Sequence, residues 1–292
     1  MLNGAIFTIV TGIIWTLLAV VYSNAASKLK QISGFMLFYS VIFAALIWIF
    51  QTPQAATANE IGKVAMGMVP SALLGHAGFF ALFLAMKRGS HAVAWTFTQT
   101  AMVMPFLGSW LLFGNEVTIL NCTGLFLIVC ALAGLGVSKN GDASAEKNRS
   151  YMAVVFSLIA MLLTGISQFC SLLPTESGVS EAALTWRLPI STSTGILVWG
   201  TVALINRAKI NWQIVKSGSV YGLIVAAGQV TLYISIDYLE PVNMVAIVYP
   251  TAVSMCIVLF AVYCAIFRKE KLSKLAAASL LLILGGVVLL LC

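Results

Sequence analysis

The sequence predicts an all-α integral membrane protein of ten transmembrane helices in two related halves. Hydrophobic residues make up 61% of its 292 residues and charged residues 9%, and the mean hydropathy is +1.02. A water-soluble domain built from this chain would lack the polar surface to stay dissolved. The apolar residues fall in continuous runs of roughly 18–24, the length at which a helix crosses about 30 Å of hydrocarbon, whereas barrel strands are about 10 residues long and alternate. Residues 89–137, GSHAVAWTFTQTAMVMPFLGSWLLFGNEVTILNCTGLFLIVCALAGLGV, return in degenerate form as residues 240–291. Each copy runs from an apolar helix with an internal proline (Pro105, Pro250) through a turn with a glutamate (Glu116, Glu270) into a second apolar helix rich in Gly and Ala.

Taken in order, the spans read as about 4–22, 33–50, 64–86, 91–113, 118–137, 152–171, 183–205, 217–236, 242–266 and 274–291. The first is too long, and too weakly basic in front, for a cleaved signal peptide, so it is expected to be retained. Short hairpin connections such as KRGS, GNEV and DYLE make consecutive helices antiparallel neighbours. The hydrophilic stretch SKNGDASAEKNRS, residues 138–150, divides an N-terminal half (1–137) from a C-terminal half (151–292). The cysteines Cys122, Cys130, Cys170, Cys256, Cys264 and Cys292 lie in or beside apolar spans without CxxC spacing, which reads as packing and not as a disulfide framework or a metal site.

The net charge of +7 resides in the loops. Connections after odd-numbered helices hold Lys28, Lys30, Lys87, Arg88, Lys139, Lys147, Arg149, Arg207, Lys209, Lys216, Arg268, Lys269, Lys271 and Lys274, and those after even-numbered helices hold only Lys63. The positive-inside rule puts the odd loops in the cytoplasm and both termini outside. Basic residues scattered singly over five hairpins, with no aromatic platform between them, speak against a nucleic-acid partner.

The two five-helix halves, the proline in the fourth helix of each, the turns FGNEV and FRKEKL, and the Gly-rich fifth helices (Gly124, Gly134, Gly136; Gly285, Gly286) together resemble the drug/metabolite transporter superfamily, EamA-like branch. The resemblance spans the whole chain. It implies two inverted five-helix repeats, with substrate held near the bilayer midplane between them. Many members keep their termini in the cytoplasm and carry a basic loop between helices two and three. Here that loop, QTPQAATANEIGK, is nearly neutral, which looks more like the bacterial sugar-uptake branches and an inner (plasma) membrane location.

Ionisable groups at membrane depth are costly and tend to mark function. All nine carboxylates fall in loops or near span ends, which disfavours a cation exporter working through a buried acid. Arg187 in LTWRLPI reads either as a fork for a substrate oxygen or carboxylate, or as an arginine locking helix seven to a neighbour. His76 in LLGHAGFF reads as a proton-coupling group or as a neutral interhelical histidine. Amides and polar or aromatic residues one helical turn apart are more informative: Trp95 with Gln99, Gln229 with Tyr233, Gln168 with Thr164. An amide facing lipid would be expensive, so these faces point into the protein. Trp15, Tyr39, Trp186, Asn243 and Tyr249 complete the candidate substrate-binding lining. Trp48, Trp110 and Trp199 read as interfacial belt residues. Pro105, Pro189 and Pro250 interrupt helices within the membrane, and Pro105 and Pro250 are the candidate hinges. Ala131, Gly134, Gly285 and Gly286 read as close-packing surfaces.

The expected function is secondary-active transport of a small polar metabolite by alternating access, leaning to uptake of a sugar-like neutral solute. No cofactor is expected, with proton or sodium coupling left open; the partners are the solute and the bilayer, and the chain is a monomer or a homodimer. The alternatives are an exporter of amino acids or related metabolites and a non-transporting membrane scaffold. No HExxH, GxSxG, two-carboxylate or nucleotide-binding arrangement points to an enzyme or a primary pump.

Overall fold

The computed structural model describes residues 2–29, 32–89, 91–138, 147–267 and 274–291, and the elements among them are all helical. In chain order they are α1 (Leu2–Lys28), α2 (Ser33–Phe50), α3 (Ala58–Arg88), α4 (His91–Gln99), α5 (Val103–Phe113), α6 (Ile119–Ser138), α7 (Lys147–Glu176), the short α8 (Glu181–Leu184), α9 (Arg187–Ile205), α10 (Trp212–Leu239), α11 (Val248–Phe267) and α12 (Lys274–Leu291). Six helical segments within α1–α3 and α7–α10 are long and apolar enough to cross a bilayer, and four shorter apolar segments, 97–113, 119–134, 245–260 and 281–290, accompany them. The protein is membrane-embedded. The linker residues 139–146 and the second glutamate turn with Glu270 lie outside the described residues.

Helix ends follow capping chemistry that hydropathy does not register. α3 begins six residues before its apolar run because Thr57 and Glu60 form a capping box: the Glu60 N–H donates to Thr57 Oγ1 at 3.3 Å and the Thr57 N–H to Glu60 Oε2 at 3.2 Å. Asn211 likewise accepts from the Ile214 N–H at 2.9 Å, starting α10 five residues early.

Two helices are broken in the same way. A 3₁₀ turn, Thr100–Met102, separates α4 from α5, and Pro105 follows in the first turn of α5. Another 3₁₀ turn, Val245–Ile247, precedes α11, with Pro250 at the matching place. A proline has no N–H for the carbonyl four residues back and its ring crowds that carbonyl, so the chain tightens just upstream. Pro189 sits the same way, third in α9, with the interruption just upstream of it between α8 and α9. Pro70 and Pro174 lie inside the long helices α3 and α7.

Packing is paired. α3 lies along α7, α1 along α10, α6 along α12; α2 crosses α9 and α10, α1 meets α11, and α4 and α5 meet α7. Hydroxyl pairs join two of these seams: Thr11 donates to Thr231 at 2.9 Å, Thr8 bonds Ser235, and Ser167 donates to the Ser71 carbonyl at 2.7 Å. The α6–α12 seam closes at reciprocal glycines: a Cβ on Gly124 would stand 2.6 Å from the Gly286 carbonyl oxygen, and one on Gly286 would stand 2.7 Å from that of Gly124. Gly134 meets Ser279 in the same seam, whereas Gly285 faces open space and does not pack.

Candidate functional site

A cavity lies between eight helices, α1, α2, α3, α4, α7, α9, α10 and α11, and among the described residues none of α6 or α12 lines it. It encloses about 170 Å³. A single water needs roughly 10–15 Å³, so the space is large enough for a small organic solute. Among the described residues, no Asp, Glu, Lys or Arg side chain lines it.

Nine of the twelve sequence-predicted residues line this one space: Trp15, Tyr39, His76, Trp95, Gln99, Gln168, Gln229, Tyr233 and Tyr249. The amide–aromatic pairs thus face inward as their spacing implies. Breaking α4 at Thr100–Met102 leaves Trp95, Thr98 and Gln99 at the end of a short helix whose next residues turn away toward α5. Residues without a sequence signal also contribute: Ser40, Ser71, Ser167, Ser171, Ser191 and Thr192, small hydroxyls that in a membrane helix look the same whether they back-bond to their own helix or face a ligand.

Three predicted residues lie elsewhere. Asn243 is exposed in the turn before α11, with φ 54°, a left-handed position that asparagine tolerates. Trp186 sits at the mouth of the 51–57 connection, donating its indole N–H to the Gln54 carbonyl at 2.9 Å and packing edge-on against Trp48 at 6.3 Å. Arg187 is 4% exposed and held behind the cavity wall. Its Nη2 reaches both carboxylate oxygens of Asp237 (2.9 and 2.8 Å), Nη1 donates to Thr175 Oγ1 at 3.0 Å and Nε to the Leu184 carbonyl at 3.2 Å. Its guanidinium lies 4.4 Å over the ring of Tyr233, a cavity residue. Of its two readings, the geometry matches the one that locks helices: α9 is tied to α7, α8 and α10, and no fork is left for a substrate carboxylate.

Trp199 is a correction of another kind. Instead of sitting in an interfacial belt it is 2% exposed and donates its indole N–H to His76 Nδ1 at 3.0 Å. Trp48 and Trp110 are 46% and 40% exposed, as interfacial residues would be. Because an indole nitrogen only donates, Nδ1 must keep its lone pair and the His76 proton sits on Nε2. A proton on Nδ1 would break that bond and strand a buried indole N–H, so this geometry favours the neutral interhelical reading of His76.

Several polar atoms at the cavity wall have no protein partner among the described residues. Gln168 Oε1 and Ser40 Oγ are unpartnered, and the Trp95 indole N–H faces only the Cys256 sulfur, a weak acceptor. Buried polar groups normally find a partner, so such groups beside a cavity indicate what a bound molecule or water would supply. Among the described residues, no group of three or more His, Cys, Asp or Glu is placed to hold a metal.

No family model and no curated protein matches the sequence. Its fold is matched by 28 solved chains. One of them, described only as "Crystal structure of protein", superposes with a TM-score of 0.67 at 13% identity, covering 98% of this chain and 96% of that chain.

Proposed function

We propose that the chain is a secondary-active transporter that moves a small, neutral, polar solute by alternating access, built as ten spans in two inverted five-helix repeats within the drug/metabolite transporter superfamily. The observation that carries this is the cavity: bounded by the first four spans of each half, without a charged side chain among the described residues, and lined by amides, phenols and indoles. The broken helices support the repeat. The two 3₁₀ turns, the helix starts at Val103 and Val248, and Pro105 and Pro250 are all offset by the same 145 residues. The packing supports it too. Exchanging each span for its counterpart five spans on turns the α3–α7 seam into α10–α1, turns α4 and α5 against α7 into α11 against α1, and leaves α2–α9 and α6–α12 unchanged. With an odd number of spans per half, that exchange inverts the repeat across the membrane.

By the charge bias both termini lie outside, and the family resemblance implies a bacterial inner membrane. A reporter fused after residue 292 is expected to read out as external, and a cytoplasmic signal would reverse the orientation. A sugar-like solute agrees with the uncharged lining. The amino-acid exporter reading loses its carboxylate partner, because Asp237 already holds Arg187. A scaffold would have no need of an internal polar cavity.

Thermal unfolding of the purified protein against sugars, polyols, nucleosides and amino acids tests the reading, since a ligand that binds only the folded state raises its Tm. A stabilising solute is expected to exchange across proteoliposomes. Trp95→Ala and Gln99→Ala should each weaken its binding by about tenfold. Flux unchanged in both variants would show that the solute passes elsewhere.

A further inference from the structure

Some of the cavity's polar groups are already taken and others are free to meet a ligand. Thr98 donates to the Ala94 carbonyl (2.9 Å), Thr192 to that of Leu188 (2.9 Å), Ser167 to that of Ser71 (2.7 Å) and Ser171 to that of Gln168 (2.7 Å), and the Tyr249 hydroxyl donates to Ser171 (2.6 Å). Gln99, Gln229 and the phenols of Tyr39 and Tyr221 make no hydrogen bond among the described residues, and Gln168 has an amide to spare. Each of these can turn to donate or accept.

His76 cannot. Trp199 holds its Nδ1 as an acceptor, so the imidazole presents only Nε2–H to the cavity. The ring is fixed edge-on between Tyr39 (6.1 Å, 63°) and Trp199 (6.0 Å, 85°). Gly195 makes the room: a Cβ there would stand 2.6 Å from Nε2 and drive the imidazole out of place. A donor held this firmly requires an acceptor atom on whatever binds.

We propose that the site takes a neutral planar heterocycle with a lactam edge, the chemistry of a nucleobase or nucleoside, and that His76 is the donor that recognises its carbonyl or ring-nitrogen acceptor. This narrows the transport reading above and rests on it. A flat ring suits the aromatic walls, where Trp15 and Tyr249 lie 6.2 Å apart at 35° and further rings come from α2, α4 and α10. Side-chain amides pair bidentately with an adjacent donor and acceptor, the pattern a lactam edge displays. A hexose carries hydroxyls around its whole rim, each wanting partners. Here Thr98, Ser167, Ser171 and Thr192 already donate to backbone carbonyls and, among the described residues, no carboxylate lines the cavity, so a sugar's many hydroxyls find few strong acceptors on burial.

The probes are uridine, uracil, ribose, glucose and leucine, tested on the full-length protein for Tm shift and for counterflow in proteoliposomes. Uridine and uracil are expected to stabilise and exchange where ribose and glucose do not. His76→Gln, which keeps an N–H near the ε position, should retain uridine binding within about threefold, while His76→Phe should weaken it by about tenfold or more. Trp199→Phe frees the tautomer and should cost several-fold in affinity, which decides the matter should His76→Phe fail to fold. Exchange of glucose in place of uridine overturns the heterocycle and leaves transport standing. Uridine binding unchanged in His76→Phe and Trp199→Phe overturns the role of His76. A folded protein that exchanges none of the five, nor any solute of the wider panel, overturns transport and this inference with it.

Discussion

Replacing Gly218 and Gly222 of α10 by valine is expected to leave little folded protein. A Cβ on Gly218 would stand 2.7 Å from the Phe35 carbonyl oxygen, and one on Gly222 would stand 2.8 Å from that of Tyr39. Two glycines one turn apart are thus seated on two carbonyls one turn apart on α2, the small-xxx-small crossing by which membrane helices approach. The atoms in the way are backbone, which cannot rotate aside, so each valine forces the helices apart. Overpacking of this kind costs about 1–3 kcal/mol per site, and here the upper end applies. Both changes strain one crossing, so their effects will not simply add. The same crossing sets the spacing of Tyr39, Ser40 and Phe43 against Tyr221, Val225 and Gln229 across the cavity, so surviving protein should also lose ligand stabilisation. Gly285→Val is the control. Nothing lies within 4 Å of its Cβ position, and its unfolding midpoint should stay near wild type. A double variant as stable as this control would show that α2 and α10 do not cross at these glycines.

Which parts of this arrangement could be read from the chain depends on the scale of the signal. Continuous apolar runs marked the bodies of the helices, and for Ser33–Phe50 its ends as well. α3 and α10 ran longer than their apolar cores because the caps Thr57 and Asn211 extend each helix into polar sequence. The cavity wall was legible where chemistry conflicted with lipid: Trp95, Gln99, Gln168, Gln229 and Tyr233 are too polar to face hydrocarbon at that depth. Small hydroxyls carried no such conflict, and Ser167 and Thr192 went unnoticed. Tertiary partners were illegible. Nothing local distinguishes Trp199, buried against His76, from Trp48 or Trp110 at the surface, and Asp237 is fifty residues from the arginine it holds. Position within a span predicts depth, whereas the side a residue faces is set by neighbours distant in the chain.

Arg187 provides the sharpest separation between holding the fold and touching the substrate. Arg187→Ala is expected to lower stability by about 2 kcal/mol and to cut transport by at least tenfold. The loss of a buried charge pair can reach about 3–5 kcal/mol, but the Asp237 side chain is 46% exposed, so water takes over part of what the guanidinium supplied. The remainder comes from the Thr175 and Leu184 bonds and from the face of Tyr233, which loses the cation 4.4 Å above it and with it the restraint on a cavity ring. Arg187→Lys should recover little, because a point-charge ammonium cannot span both Asp237 oxygens while donating in plane to α7 and α8. Asp237→Asn, which keeps one acceptor, should fall between wild type and alanine in both stability and flux. A substrate-binding arginine would give the opposite pattern: unchanged unfolding in Arg187→Ala, abolished binding of a carboxylate-bearing solute, and stronger binding of that solute in Asp237→Asn as the competing carboxylate is removed. Parallel loss of stability and flux across the three variants is the outcome that the bidentate pair and the covered Tyr233 ring require.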